Sequence, residues 1–164
     1  MSVGFAIGCH FPWTRAVTYA IAQVAGAVAG ALTLRAILGP SVPLGVTVPA
    51  GTDLQSFAME AVLTFFLVLV ITAVATDSRA VGEAAAVAIG GAVALGALVS
   101  GPVSGASMNP ARSLGPALVS RDLSHIWVYL AGPLLGSIVA AVVYGWLRIG
   151  REEPLPAGER RLPE

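Results

Sequence analysis

The chain of 164 residues is 56% hydrophobic and only 11% charged, with a mean hydropathy of +0.83. A soluble domain usually carries about a quarter charged residues, so the composition excludes an ordinary soluble globule and indicates a membrane protein. The net charge is zero, which leaves no basic surface for a nucleic acid. The single cysteine, Cys9, excludes an internal disulfide.

The uncharged runs of the sequence predict four membrane-spanning helices. A helix needs about 20 largely apolar residues to cross the hydrocarbon core of a bilayer, and four runs reach about that length. They lie between Arg15 and Arg35, from Phe57 to Thr76 with the carboxylate of Glu60 inside, from after Glu83 to about Val99, and from Ile126 to Leu147.

The segments between these runs have the composition of loops. A Pro- and Gly-rich stretch, Gly39 to Gln55, joins the first two spans, and a short turn, Asp77 to Arg79, joins the second and third. The stretch from Ser100 to Ala111 is uncharged, but it is too rich in Gly, Ser and Pro for an ordinary spanning helix. We therefore expect residues 1–150 to form a transmembrane domain and residues 151–164, which are rich in charge and proline, to form a flexible cytoplasmic tail.

Four spans place both ends of the chain on one side of the membrane. The excess of arginine then predicts that both ends are cytoplasmic. One side would hold Arg15, Arg79, Arg148 and Arg151, and the other Arg35 and Arg121.

Small residues at four-residue spacing predict close helix packing within the membrane. Two glycine pairs have this spacing, Gly26 with Gly30 and Gly132 with Gly136. We interpret them as packing positions.

The most informative stretch runs from Gly101 to Pro116. Asn is a good helix cap and Pro is favoured at the first helical position, so Asn109 and Pro110 predict the start of a short helix. Non-helical backbone at membrane depth is tolerated where it lines a watery cavity or is buried in protein. Arg112 is costly inside a bilayer, at about 2.5 to 3.5 kcal/mol. From composition alone, the alternative of a surface loop with a solvated Arg112 stays open.

The residues around Asn109 resemble the signature of the aquaporins, also called the major intrinsic proteins. Residues 107–117 read Ser-Met-Asn-Pro-Ala-Arg-Ser-Leu-Gly-Pro-Ala, and most of the chain follows family order. Residues 75–83 and 101–107 most resemble the nodulin-like intrinsic proteins of plants and their bacterial relatives. The resemblance extends over almost the whole sequence. It implies an all-α membrane protein that folds as a right-handed helical bundle with re-entrant half-helices.

The family pattern has six spans and two Asn-Pro-Ala half-helices, whereas this sequence shows four spans and one such motif. We expect residues 1–8 to be the remnant of the first half-helix, so that the first two helices and the first motif are missing. A start codon called too late, a partial sequence and a truncated gene are three explanations, of which the first two are favoured. Taken at face value, the 164-residue product should not conduct alone.

The resemblance also assigns roles to individual residues. Asn109, Pro110 and Ala111 form the pore motif, and Asn109 supplies a hydrogen-bond donor to the passing molecule. Glu60 is a buried acceptor for backbone amides of the re-entrant loop. The selectivity positions are Ala97, Ala106 and Arg112.

The function implied is passive transport of water or small neutral solutes. Water-only members have His at the position of Ala97, so the small residue predicts a wider aperture for glycerol-like polyols, urea or neutral metalloid hydroxides. The resemblance further implies a homotetramer for a full-length chain and a plasma-membrane location. The alternative is a non-conducting truncated protein that assembles with or regulates a full-length channel.

An enzyme is disfavoured by the residues themselves. The sequence offers no nucleophile with a plausible base and no phosphate-binding glycine loop with a lysine. Cys9 and His10 are adjacent and point in different directions, so we expect neither a metal site nor a cofactor.

Overall fold

The computed structural model describes residues 12–40, 42–76 and 82–149, and these residues form five α-helices. Four of the helices are long and apolar enough to cross a bilayer, which confirms the predicted number of spans in the described part of the chain. The helices are α1 (Trp13–Leu38), α2 (Asp53–Thr76), α3 (Gly82–Ser104), α4 (Pro110–Ser120) and α5 (Ile126–Ile149).

The start of α2 lies earlier than the hydrophobic run suggests. The amide of Thr52 donates to Oε1 of Gln55 at 3.0 Å, and the amide of Gln55 donates to Oγ1 of Thr52 at 3.2 Å. This reciprocal pair is a capping box, which satisfies two amides of the first turn. The helix therefore begins at Asp53, and the predicted loop ends before Gln55.

The end of α3 lies later than predicted, because residues 100–104 are helical. The expectation of an irregular stretch from Ser100 was wrong for these residues. The hydroxyl of Ser100 donates to the carbonyl oxygen of Gly96 at 3.0 Å, and that of Ser104 donates to Glu60 at 2.7 Å. Buried partners thus stabilise a helix end that local composition disfavours.

The centre of the bundle is the contact between α2 and α5. A Cβ atom at Gly132 would lie 2.9 Å from Cβ of Glu60, and one at Gly136 would lie 2.9 Å from the amide nitrogen of Phe65. These glycines therefore let the two backbones meet, as predicted from their spacing.

The other predicted glycine pair does not form a close contact. A Cβ at Gly26 or Gly30 would meet no described atom within 4 Å, so the described residues show no packing partner for this pair. The contact between α1 and α4 instead uses Gly115, where a Cβ would lie 2.5 Å from Cβ of Ala27. Arg35 of α1 also donates to the carbonyl oxygen of Val119 at 3.0 Å, near the end of α4.

The helix α4 is too short to cross a membrane. Its 11 residues extend about 17 Å at 1.5 Å per residue, roughly half of the hydrocarbon core. It follows the non-helical residues 105–109, which we call the Asn109 loop.

Four sequence predictions fall outside the described residues. They are the turn at Asp77 to Arg79, the remnant at residues 1–8, the pair Cys9 and His10, and the tail at residues 151–164.

Candidate functional site

The short helix α4 begins where the sequence predicts. Asn109 is its N-cap, with extended backbone at φ −156° and ψ 112° and with Pro110 in the first turn. The side-chain oxygen Oδ1 of Asn109 accepts a hydrogen bond from the amide of Ala111 at 3.1 Å. The start of α4 presents the positive end of the helix dipole.

The Asn109 loop is anchored by the carboxylate of Glu60 on α2. Oε1 of Glu60 accepts from the amide of Ser107 at 2.8 Å and from the hydroxyl of Ser104 at 2.7 Å, and Oε2 accepts from the amide of Met108 at 2.6 Å. Glu60 is fully buried. A buried carboxylate is tolerated where hydrogen-bond donors surround it, and three donors surround this one.

The backbone of the loop is left-handed at three positions, which explains why two successive amides converge on one carboxylate. The φ angle is +77° at Gly105, +52° at Ala106 and +50° at Met108. Residues other than glycine seldom adopt such angles, and the surrounding structure must therefore hold them. Glu60 supplies that support, because amides in such a concave arrangement bind a negative charge.

Two further contacts fix the loop from α5 and α3. The hydroxyl of Tyr129, a buried residue of α5, donates to the carbonyl oxygen of Ser104 at 2.8 Å. The sulfur of Met108 fills the space beside Gly96 of α3, where a Cβ would lie 2.7 Å from it. The loop is therefore held by three spanning helices at once.

The loop between α1 and α2, residues 42–52, contacts the same region. Its carbonyl oxygen at Gly45 accepts a hydrogen bond from the guanidinium of Arg112. Its amide at Ala50 donates to the carbonyl oxygen of Val103 at 2.9 Å. Thr47 is buried in the same loop and donates to Oγ of Ser113 at 2.7 Å.

A cavity of about 200 Å³ lies beside the start of α4, between α1 and α5. Asn109, Gln23 and Ser137 are its polar lining residues, and the rest of the lining is apolar, including Ala16 and Leu134. The capped end of α4 therefore meets a cavity rather than packed side chains.

The structure brings most of the candidate residues into one cluster. Asn109, Pro110, Ala111 and Arg112 follow one another at the start of α4, and Ala106 is half-buried within the loop before them. Ala97 lies apart, on an exposed position of α3. It is joined to the cluster through its neighbour Gly96, which contacts Met108.

Sequence reasoning missed several residues that shape the site. Ser107 and Ser113 flank the motif, and their small hydroxyl side chains are the signal that could have singled them out. Thr47 lies in a Pro- and Gly-rich loop, where no local pattern indicates a buried hydrogen bond. The hydrogen bond from Tyr129 to Ser104 was not predicted either.

A second polar cluster joins the first turns of α2 and α5. The carboxylate of Asp53 contacts Nδ1 of His125 at 2.7 Å and accepts from Nε1 of Trp127 at 3.0 Å. The rings of Phe57 and Trp127 stack with centroids 5.8 Å apart. We call this cluster the Asp53 clamp, and it connects the two central helices at one end of the bundle.

The turn before α5 contains an exposed carboxylate, Asp122. The hydroxyl and the amide of Ser124 donate to Oδ1 of Asp122 at 2.7 Å and 3.1 Å. These hydrogen bonds lower the pKa of Asp122 from its ordinary value of 3.8. Among the residues that the structure describes, no three His, Cys, Asp or Glu side chains come together to hold a metal ion.

Four membrane-length helices and a broken segment that meets a cavity define a multi-pass helical membrane protein. The sequence profile described as major intrinsic protein matches residues 1–144. The chain belongs to the major intrinsic protein family, which confirms the family and fold class predicted from the sequence.

Curated relatives are similar over nearly the whole chain. Aquaporin NIP1-3 of Oryza sativa subsp. japonica is 47% identical over 157 residues, which are 94% of this chain and 54% of the relative. Nodulin-26 of Glycine max is 46% identical over 149 residues, 90% of this chain and 55% of the relative. These relatives confirm the resemblance to nodulin-like intrinsic proteins. The chain spans about half the length of the curated relatives it matches.

A solved structure supports the fold independently. The X-ray structure of the aquaglyceroporin from Plasmodium falciparum matches with a TM-score of 0.75 and 24% identity, over 87% of this chain and 68% of that chain. The arrangement of helices is therefore aquaporin-like.

Proposed function

We propose that the chain forms a channel, or the larger part of one, for passive movement of water and small neutral solutes. The observation that carries this proposal is the capped start of α4 at a cavity of about 200 Å³. Because Oδ1 of Asn109 already accepts from Ala111, the NH₂ group of Asn109 is the part left to donate to a molecule in the cavity. Water and hydroxyl-bearing solutes accept such hydrogen bonds.

The electrostatics of this site favour neutral solutes over cations. The positive end of the α4 dipole lies at the cavity, and Arg112 adds a fixed positive charge three residues further on. Such charges exclude protons and cations from a pore while neutral molecules pass. In this proposal Arg112, oriented by the carbonyl of Gly45, forms the outer constriction.

The aperture proposed for this channel is wider than one that admits only water. Ala97 and Ala106 are the other selectivity positions, and both side chains are small. Glycerol-like polyols, urea and neutral metalloid hydroxides are the candidate solutes. One curated relative, 47% identical, is named an aquaporin, and that name supports a channel for water and small neutral solutes.

The family resemblance extends the proposal to assembly and location. The family resemblance favours the plasma membrane. We propose that both ends are cytoplasmic, because the side of the four spans that holds both ends carries more arginine. We propose a homotetramer for a full-length chain.

Solute-driven volume change of proteoliposomes tests the proposed function. The purified 164-residue chain is reconstituted, and water and glycerol flux are measured by light scattering against empty liposomes. If this chain conducts by itself, flux exceeds the empty control and is altered by Asn109→Ala and by Arg112→Ala. Thr33→Val on the exposed face of α1 is the matched control, with unchanged flux expected.

Tight vesicles that contain folded protein would contradict conduction by this chain alone. They would support the second candidate, a non-conducting membrane protein that assembles with or regulates a full-length channel. Circular dichroism of the same vesicles establishes that the protein is folded in either case.

A further inference from the structure

Three hydroxyl groups form a continuous hydrogen-bonded chain next to the Asn109 loop. Thr47 Oγ1 donates to Ser113 Oγ at 2.7 Å, and Ser113 Oγ lies 2.6 Å from Ser107 Oγ. Ser107 Oγ donates to the carbonyl oxygen of Asn109 at 2.9 Å. Thr47, Ser113 and Ser107 are 6%, 1% and 5% exposed, so water does not compete for these groups.

The direction of this chain follows from counting protons. Each hydroxyl has one proton to donate. Ser107 uses its proton on the carbonyl of Asn109, so the proton shared with Ser113 must come from Ser113. Ser113 can then only accept from Thr47. Thr47 is therefore the first donor, and its loss leaves Ser113 without a partner on that side.

The far end of the hydroxyl chain is at Asn109, the residue that caps α4. The carbonyl oxygen of Asn109 accepts from Ser107 Oγ at 2.9 Å and from the amide of Ser113 at 3.3 Å. Ser107 Oγ also receives the amide of Asn109 at 3.4 Å. The hydroxyl chain thus holds the backbone of Asn109 on both its donor and its acceptor side.

The near end of the hydroxyl chain is Thr47, which lies two residues from Gly45. The carbonyl oxygen of Gly45 binds Arg112. Gly45 and Thr47 contact successive residues of α4, Arg112 and Ser113. Gly105 packs against Thr47 so closely that a Cβ there would lie 3.3 Å from Cα of Thr47. One loop therefore touches the start of the Asn109 loop and the first turn of α4.

We propose that Thr47 is a positioning residue. Through Ser113 and Ser107 it fixes the backbone of Asn109 and the position of the Arg112 side chain. Glu60 holds the loop from the α2 side, and Thr47 holds it from the side of residues 42–52. The consequence for solute selectivity rests on the proposed function, whereas the positioning itself does not.

Hydrogen exchange of the full chain in detergent, followed by mass spectrometry, tests the positioning without any need for flux. Thr47→Val keeps the shape of the side chain and removes the donor. We expect exchange of the peptide that covers residues 105–113 to become about tenfold faster, since a buried group loses its partner and local opening becomes easier. Thr47→Ser restores the hydroxyl and should restore the wild-type rate.

Thr64→Val is the matched control. Thr64 is fully buried on α2, one turn from Glu60, and Thr64 Oγ1 has no hydrogen-bond partner in the described part of the chain. The same chemical change there should leave exchange of residues 105–113 at the wild-type rate. If Thr47→Val does not fold, Ser113→Ala interrupts the same chain one link further on and carries the same expectation.

Equal exchange in Thr47→Val and wild type would overturn the proposal, as would equal acceleration in Thr64→Val or failure of Thr47→Ser to restore protection. In proteoliposomes, Thr47→Val should raise the ratio of glycerol to water flux, and Thr64→Val should not. If wild-type vesicles do not conduct, conduction by this chain alone is contradicted, and the exchange rates still decide the role of Thr47.

Discussion

The contact between α2 and α5 depends on shape, whereas the Asn109 loop depends on hydrogen bonds. Gly132 and Gly136 let the two helices meet with no room for a side chain. The Asn109 loop instead has three left-handed residues, and its amides are bound by Glu60. Small residues at helical spacing determine the first region, whereas polar partners that lie far away in the sequence determine the second.

This difference fits the separate demands on the two regions. In a membrane, helices associate through close packing, because lipid is as apolar as the side chains. A broken segment must in addition satisfy its backbone groups within the protein. The helix pair therefore supplies a rigid wall, and Glu60 on that wall determines where the loop and the start of α4 lie.

The largest expected effect comes from filling the α2–α5 contact. In Gly136→Ala, the new Cβ would overlap the carbonyl of Ala61 and lie 2.9 Å from the amide nitrogen of Phe65. Both are backbone atoms that cannot move away alone. We expect a loss of about 3 kcal/mol in the free energy of unfolding, measured by denaturant unfolding in detergent.

Gly30→Ala is the control for this substitution, because a Cβ at Gly30 meets no described atom within 4 Å. There alanine should leave stability unchanged or raise it by about 0.5 to 1 kcal/mol through helix propensity. Equal losses at Gly30 and Gly136 would show that close contact is not what stabilises the pair.

Removing the charge of Glu60 should have the next largest effect. Glu60→Gln replaces one acceptor oxygen by an NH₂ group, which cannot accept from Ser104, Ser107 or Met108. Hydrogen bonds to charged groups contribute about 1.5 to 3 kcal/mol each, so we expect a loss of about 2 to 3 kcal/mol and faster exchange of residues 105–109. Unchanged exchange in Glu60→Gln would contradict the role of the carboxylate in holding the loop.

The Asp53 clamp should contribute less, because it is partly exposed. Side chains of His125 and Asp53 are 42% and 34% exposed, and solvent weakens such contacts. Asp53→Ala removes the acceptor for both His125 and Trp127 and should lower stability by about 1 kcal/mol. Asp53→Asn keeps one acceptor oxygen and should fall between wild type and alanine in thermal unfolding. If Asp53→Asn loses as much stability as Asp53→Ala, the charge of Asp53 rather than its hydrogen bonds stabilises the contact.

The smallest expected effect is the pH dependence of Asp122. Its pKa in the folded protein is lowered by Ser124, so its ionised form favours folding. This contribution is complete above the ordinary value of 3.8 and is lost as the pH falls through the lower pKa of the folded state. Thermal unfolding of Asp122→Asn should therefore differ slightly from wild type at pH 6, and the difference should shrink as the pH falls below 3.8. A difference that does not depend on pH would exclude this origin.

The parts of the fold that could be predicted are those determined by residues close together in the sequence. Apolar runs predicted four spanning helices, and Asn109 with Pro110 predicted the start of α4, because caps and first-turn prolines act locally. The end of α3 at Ser104 was missed, since it depends on Glu60, 44 residues earlier. The capping box at Thr52 and Gln55 was a local signal that the hydrophobic run concealed.

The candidate site was predictable only in part for the same reason. Glu60 was singled out as a carboxylate inside an apolar run and, through the family resemblance, as an acceptor for loop amides. Its hydrogen bonds to Ser107 and Met108 have that geometry. Thr47 and Gly45 gave no signal, because their partners on α4 lie 66 and 67 residues away. The roles of Ala97, Ala106 and Arg112 in selectivity remain predictions.

In the proposed function, the small residues at the selectivity positions leave an aperture wider than one that admits only water. The most direct test of this claim is the ratio of glycerol to water flux in proteoliposomes of the full chain, for wild type and for Ala97→His. In vesicles that conduct, we expect glycerol flux in the wild type and a ratio at least about tenfold lower in Ala97→His, as for a barrier raised by about 1.4 kcal/mol. A ratio that Ala97→His does not change, or vesicles of folded wild-type protein that pass water but no glycerol, would contradict it.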